Sequence, residues 1–300
     1  FRTAPLGLVP KPNSNKFRLI QDLSFPRNNP SISSVNSHVC SDDFPTAWGT
    51  FDDASRMVLE APPGSTAAAF DISAAYRITP VLPDQQHVLC ISWKGTVYVD
   101  RAVMFGLASS AGVFGAVADM LVAIYRAHGI SHVIKWVDDF FVIRLPHQTF
   151  SEAEFIAITA QLGVPWCLEK TRLFASAQRY IGFIWDLSRK TVAIPPEKIA
   201  AMLILLAYWL APGFRTRASE AASLHGKLVH LATIFRLLRP FLHALSLFSA
   251  SFCSPRARLH PPSDVKADIK WISWLLPHMP NELPLSLTMP LDLGWWGDAS

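Results

Sequence analysis

Cysteine is scarce and scattered: four in 300 residues, at positions 40, 90, 167 and 253, with no CxxC and no histidine partner at zinc-ligand spacing. That excludes a zinc knuckle and a disulfide scaffold, and it fits a reducing, intracellular setting, cytoplasm or nucleus. Long apolar runs are also missing. The uncharged apolar run between Lys198 and Arg215 is interrupted by Pro212-Gly213, short of the roughly 20 residues of a bilayer span, so it reads as a buried helix and no membrane is expected as a partner. Glycine (14) and proline (23) are too few and too dispersed for a collagen-like or linker protein. Charged residues make up only 17% and apolar ones 50%, a globular balance in a length that allows about two compact units. No internal repeat or low-complexity tract is visible. The chain opens at Phe1 and stops at Ser300 inside a motif, so it is expected to be a piece of something longer.

The charge that is present is uneven. The net charge is +4, yet residues 196–270 carry ten Lys/Arg against four Asp/Glu, and a basic end of this kind calls for a polyanion. Residues 1–62 are rich in Pro, Ser and Asn and read as a loop-rich outer layer with one alternating stretch, Phe17 to Leu23. Ala67 to Ile72 reads as a core strand; Val97-Tyr98-Val99 and Val103-Met104-Phe105 also have strand character. Ser109 and Ser110 precede an amphipathic helix that ends at Gly129. Val133 to Ile143 reads as a hairpin with Asp138-Asp139 at its turn. Ser151 to Glu154 is a capping box, with Gly163 as the stop, and strands return over Arg179–Asp186 and Thr191–Ile194. Beyond Pro195-Pro196 the pattern is helical: Glu197–Leu210, Ala218–Phe235 and Leu238–Phe248. The order implies an α+β fold, an antiparallel sheet with helices on one face, followed by a helical unit.

Chemistry concentrates where carboxylates interrupt apolar runs, at Asp71 and at Asp138-Asp139. A lone Asp-Asp pair is equally a polar turn. Three acids inside core-like strands are different, because each ionised carboxylate costs several kcal/mol there unless something positive faces it. A divalent ion such as Mg²⁺, a hard cation that takes carboxylate oxygens and shares substrate phosphates, is the economical partner. Neighbouring strand residues point to opposite faces, so Asp138 and Asp139 share an ion only if the turn rotates one of them.

These residues resemble a family. Phe70 to Tyr76, Phe105 to Ser110, Trp136 to Asp139, Leu162-Gly163 with Glu169-Lys170, and Tyr180 to Phe183 look like motifs A to E of a retrotransposon reverse transcriptase, in order. Gly7 to Lys11 and Phe17 to Asp22 are similar to the fingers segment before motif A. Ser223 to Leu228 and Arg239 to Leu242 look like the thumb of tyrosine-recombinase (DIRS-like) retroelements, and Trp296 to Ser300 resembles the first strand of a ribonuclease H domain. The resemblance implies a right-hand polymerase: fingers over 1–62, palm over 63–195 with an inserted fingers hairpin near 84–102, a helical thumb over 196–262, a connection over 263–290, and a truncated RNase H-like start over 291–300.

By the same resemblance, Asp71 and Asp138 would hold two Mg²⁺ ions, with Mn²⁺ as a substitute, Asp139 as a supporting acid and the Ile72 carbonyl as a further ligand. Lys11 and Arg18 match triphosphate contacts, Tyr76 a gate against a 2′-hydroxyl, and Phe105-Gly106 the nucleotide and template surface. Lys170 would protonate pyrophosphate, Tyr180-Ile181-Gly182 would grip the primer, and Lys227, Arg236 and Arg239 would follow the nucleic-acid backbone. Asp298 would be one acid of the truncated RNase H site. Implied partners are a primed RNA or DNA template, dNTPs, and the RNase H and tyrosine-recombinase domains of the same polyprotein. Three positions depart from the family: Trp136 replaces Tyr or Phe, Ala111 stands in place of Pro, and Ser110 in place of Ala. An RNA-directed DNA polymerase is therefore the leading expectation. The alternatives are a non-catalytic nucleic-acid-binding remnant, and a metal-dependent hydrolase, which would leave Lys11, Arg18 and Tyr76 unexplained.

Overall fold

The computed structural model describes residues 1–10, 15, 17–27, 29 and 31–286. Lys11, Asp298 and the expected RNase H-like start at 291–300 lie outside the described residues. The chain divides into two compact units, one of 1–57 with 61–176, the other of 58–60 with 177–300.

The first unit begins with an antiparallel pair, β1 (Leu6–Pro10) and β2 (Phe17–Gln21). Helix α1 (Phe51–Glu60) follows, started by a capping box between Thr50 and Asp53. This helix lies within 1–62, where the composition predicts a loop-rich layer. The main sheet is built from β3 (Thr66–Asp71), β6 (Val133–Trp136), β7 (Asp139–Arg144) and β8 (Arg172–Ala175) in the order β6-β7-β3-β8, its mapped pairs antiparallel. A separate hairpin, β4 (Cys90–Trp93) and β5 (Thr96–Val99), projects from the connection after β3. Val103 to Phe105, read as strand-like, forms no strand; only Ala102 bridges to Pro80.

Helices α2 (Ser110–Ala127) and α3 (Glu152–Ile158) cover one face of the sheet. Alternation explains the packing: Ala68, Phe70, Phe140 and Val142 point into a core shared with Phe114, Leu121, Tyr125 and Phe155. Phe155 stacks on both Phe70 and Tyr125, with ring centroids 4.2 and 3.8 Å apart. By length and composition α2 could cross a membrane, but its apolar side is buried in this core. Ser151 and Glu154 cap α3 reciprocally, as expected. Ser109 makes no side-chain cap, and the Ser110 hydroxyl instead donates to the Met104 carbonyl at 2.6 Å.

The second unit holds a smaller antiparallel sheet, β9 (Ala177–Tyr180), β10 (Phe183–Asp186), β11 (Thr191–Ala193) and β12 (Glu282–Pro284), in the order β12-β11-β10-β9. It also holds helices α4 (Pro196–Trp209), α5 (Ala218–Leu231), α6 (His243–Ala250) and α7 (Ser263–Leu275). α5 ends four residues before the expected Phe235. The chain then takes a 3-10 course over Arg236–Leu242, since Pro240 lacks the N–H that a continuous α-helix needs.

Candidate functional site

Strand register decides which acids meet. Asp71 on β3 pairs directly with Asp139 on β7, and Asp139 pairs with Trp136 on β6. Residues directly opposite one another share a face of the sheet, so Trp136, Asp139 and Asp71 form one row on the face opposite Phe70 and Phe140. Asp138 sits in the two-residue turn Val137-Asp138 at the end of that row. The Ile72 N–H donates to the Asp138 carbonyl at 3.0 Å, tying the end of β3 to the turn. Val137 adopts φ +51°, uncommon for a β-branched residue and a mark of strain. The left-handed Val137 turns the chain between Trp136 and Asp139.

Positive charge reaches the acids chiefly from Lys170, then from Arg18 at Asp138 and Arg172 at Asp139. Lys170, in a 3-10 turn just before β8, donates to both carboxylate oxygens of the buried Asp71 at 2.8 Å. That bond holds the Lys170 ammonium above its ordinary pKa. Burial raises the Asp138 carboxyl, opposed by its own backbone N–H, and the Asp71 charge raises it further. Asp139 is pushed up to about 6 by lost hydration and then by the charges of Asp138 and Asp71. Among the described residues no three His, Cys, Asp or Glu side chains form a ready metal-ligand cluster. The chemistry of the donors nevertheless suits a hard divalent ion: carboxylate oxygens whose mutual repulsion Lys170, with weaker help from Arg18 and Arg172, offsets only in part.

A second group of side chains leads to the same turn. The Arg18 guanidinium lies over the Phe105 ring, 4.6 Å from its centroid, and Phe105 tilts against Tyr76 at 4.9 Å. Burial, then the nearby Asp138 charge, raises the Tyr76 phenol, and Arg18 opposes this. Arg18, Tyr76, Phe105 and Asp138 therefore belong to one neighbourhood. Gly106 has φ +105°, and a Cβ there would overlap the Gln21 carbonyl oxygen, so a side chain is excluded for two reasons. Asn36 brackets this loop, donating to the Gly106 carbonyl at 2.8 Å and accepting from the Ala108 N–H at 2.9 Å. The sequence held no signal for Asn36, one polar residue in a Ser- and Asn-rich run.

In the second unit, Ile181-Gly182 is the turn between β9 and β10, with Tyr180 buried beside it. Lys198 donates to the Gly182 carbonyl at 3.0 Å and lies 3.4 Å from His230. Burial and the Lys198 charge lower the His230 pKa. Lys227 shares a groove of about 330 Å³ with Lys198 and His230, whereas Arg236 and Arg239 are exposed on the 3-10 segment.

No family model matches this chain, and neither does any curated protein. Solved structures do: the chain has a reverse-transcriptase-like fold. It is similar to a foamy viral protease-reverse transcriptase in complex with double-stranded DNA (TM-score 0.63, 18% identity, covering 93% of this chain and 44% of that one). It is also similar to the foamy viral enzyme in complex with an RNA/DNA hybrid (TM-score 0.60, 17% identity, 92% and 33%) and to a further double-stranded DNA complex (0.59, 18%, 93% and 52%). The chain thus spans a third to about half of those chains. At these identities the likeness is one of fold.

Proposed function

We propose that this chain is the polymerase portion of a retroelement RNA-directed DNA polymerase, extending a primer 3′-hydroxyl with dNTPs on an RNA or DNA template. The observation that carries the reading is the register that sets Asp71 opposite Asp139 with Asp138 in the adjoining turn. Asp71 and Asp138, with Asp139 and the Ile72 carbonyl in support, would hold two Mg²⁺ ions. Bound there, such a pair stabilises the attacking and leaving oxygens of an in-line phosphoryl transfer.

The chain's own residues do the rest. Arg18 forks onto triphosphate oxygens, with Lys11 as a second cation. Tyr76, backed by Phe105 and Phe114, fills the space a 2′-hydroxyl would need, and Gly106 lets the nucleotide approach the backbone. Lys170, paired with Asp71 in the structure, would donate a proton to the leaving pyrophosphate. Tyr180-Ile181-Gly182 holds the primer end, and Lys227, Arg236 and Arg239 contact the duplex backbone. In this reading 1–62 acts as fingers, 63–195 as palm and 196–262 as thumb. The thumb motifs support a DIRS-like element and the Trp296 to Ser300 run a following RNase H domain, with a tyrosine recombinase as a further companion in the cytoplasm or nucleus.

The Lys170–Asp71 pair favours a second reading, a duplex-binding chain without turnover, because the acid most needed for an ion is already paired. Primer extension on RNA with Mg²⁺ and dNTPs separates the two. Extension by the wild type and none by Asp138→Asn supports the polymerase; equal extension by both removes the catalytic assignment. In the same assay Tyr76→Ala should raise ribonucleotide incorporation by about tenfold or more, the scale of one lost steric contact worth 1–3 kcal/mol, and an unchanged dNTP/rNTP ratio would reject the gate.

A further inference from the structure

The face that carries Asp71 and Asp139 also carries an indole, Trp136, and a second indole packs on it from the edge of β6. Trp136 is 43% exposed and lies directly across from Asp139. Its ring meets that of Trp48 at 5.7 Å between centroids and an interplanar angle of 49°. Trp48 arrives on the stretch before α1, which runs along the free edge of β6: the Gly49 N–H donates to the Lys135 carbonyl at 2.7 Å.

The other side of the strand fixes Trp48 in place. Lys135 is buried, and its ammonium sits 4.5 Å from the Trp48 ring centroid. The same ammonium donates to the Thr46 hydroxyl at 2.5 Å, to the Gly115 carbonyl at 3.2 Å, and pairs with Asp119 at 3.1 Å. One cation therefore joins the Trp48 segment, α2 and the hairpin that ends in Asp138. Trp48 itself remains half-buried. Neither indole has a place in the reaction derived above.

We propose that Trp48 and Trp136 together form a stacking platform for the terminal nucleotide of the strand being extended, with Lys135 as the residue that positions Trp48. The inference rests on the polymerase reading and adds a binding residue to it. Three features favour a nucleotide as the occupant. Trp136 lies on the face of the acids, where a reacting 3′-end must lie, and Trp48 packs on its ring; aromatic faces stack on any base without regard to sequence; and the buried Lys135 ammonium holds the Trp48 ring in place. The arrangement also explains how the chain accommodates Trp136 where its look-alikes carry a smaller aromatic ring: Trp48 supplies the packing partner.

The test uses a primer–template duplex with 2-aminopurine at the primer 3′-end, without dNTPs or divalent ions, so that binding is read apart from turnover. Wild-type protein should quench the probe. Trp48→Ala should lose much of the quenching and bind about tenfold more weakly, the scale of one lost base stack. Trp48→Phe should recover most of both, and Trp274→Phe, which removes an exposed indole on α7, should behave as wild type. A folded Trp48→Ala that quenches and binds like wild type would overturn the proposal. A measurement on the unmutated chain covers the case in which that variant does not fold. Photocrosslinking from a 5-iodouracil at the primer 3′-end should label the peptide holding Trp48 or Trp136, and labelling confined to other peptides would overturn it. Wild-type protein that binds no duplex removes the polymerase reading as well, whereas binding untouched by the Ala change removes the platform alone.

Discussion

The β6–β7 and β9–β10 hairpins close on two residues each, Val137-Asp138 and Ile181-Gly182, and in both the first of the two is β-branched with positive φ, +51° at Val137 and +43° at Ile181. Their second residues part company. Gly182 also has positive φ, +85°, giving the pair the left-handed turn that suits the twist of two antiparallel strands. Asp138 does not join Val137 there, so the acid hairpin carries its strain without a glycine to relieve it. The surroundings are opposite as well. Lys198 and His230 face Gly182, whereas Asp71 and Asp139 lie beside Asp138. A turn that only has to present a backbone carbonyl to Lys198 takes a glycine at its second position, though Ile181 is held in the same left-handed region as Val137. A turn that must bring a third carboxylate toward two others is held there by its neighbours.

The comparison can be broken first at the acids. Asp138→Asn removes one charge and should lower extension by more than the roughly 10–100-fold typical of losing a mere supporting partner of a metal ligand, with duplex binding retained; a filter-binding assay beside the extension assay checks both halves. Gly182→Ala should do the reverse. A Cβ there would press on the Lys198 ammonium and on the His230 ring, 2.8 Å from Nε2, and the left-handed backbone adds about 1–2 kcal/mol of strain. We expect up to about tenfold weaker duplex binding with turnover at saturating duplex little changed. The smallest effect should come from Val137→Gly. Relief of about 1–2 kcal/mol of strain is set against about 0.5–1 kcal/mol of glycine backbone entropy and some lost core packing. Thermal melting should therefore shift by only a few degrees, while extension falls because Asp138 is no longer held. A melting loss typical of truncating a core valine would show that Val137 is not strained.

Much of this site was legible because burial and alternation leave traces in a sequence. Asp71 and Asp138-Asp139 stood out as acids inside apolar runs, and the Val133 to Ile143 hairpin, the Ser151–Glu154 cap and the helical second unit followed from periodicity. What stayed hidden depends on partners far along the chain. Asn36 finds Gly106 seventy residues away, Trp48 finds Lys135, and Arg18 finds Phe105; no local pattern encodes such pairings. Val137 was illegible for another reason: its residue type argues against the backbone it adopts. Ser109 misled in the opposite sense, a good capping residue whose neighbour Ser110 is held by Met104 instead.

The acid row is proposed to receive cations, a claim that the titration of Asp139 can check. Its carboxyl is raised from 3.8 to about 6. The folded chain therefore holds a proton that the unfolded chain has already lost between those values, and Asp139's contribution to stability declines as pH rises through that window. A bound divalent ion should reverse the cause. Followed by NMR of the Asp139 side chain, with Asp139→Asn to assign the signal, the midpoint should lie near 6 in the absence of divalent ions and move well below it on adding millimolar Mg²⁺. A midpoint that stays where it is as Mg²⁺ is added would contradict the claim.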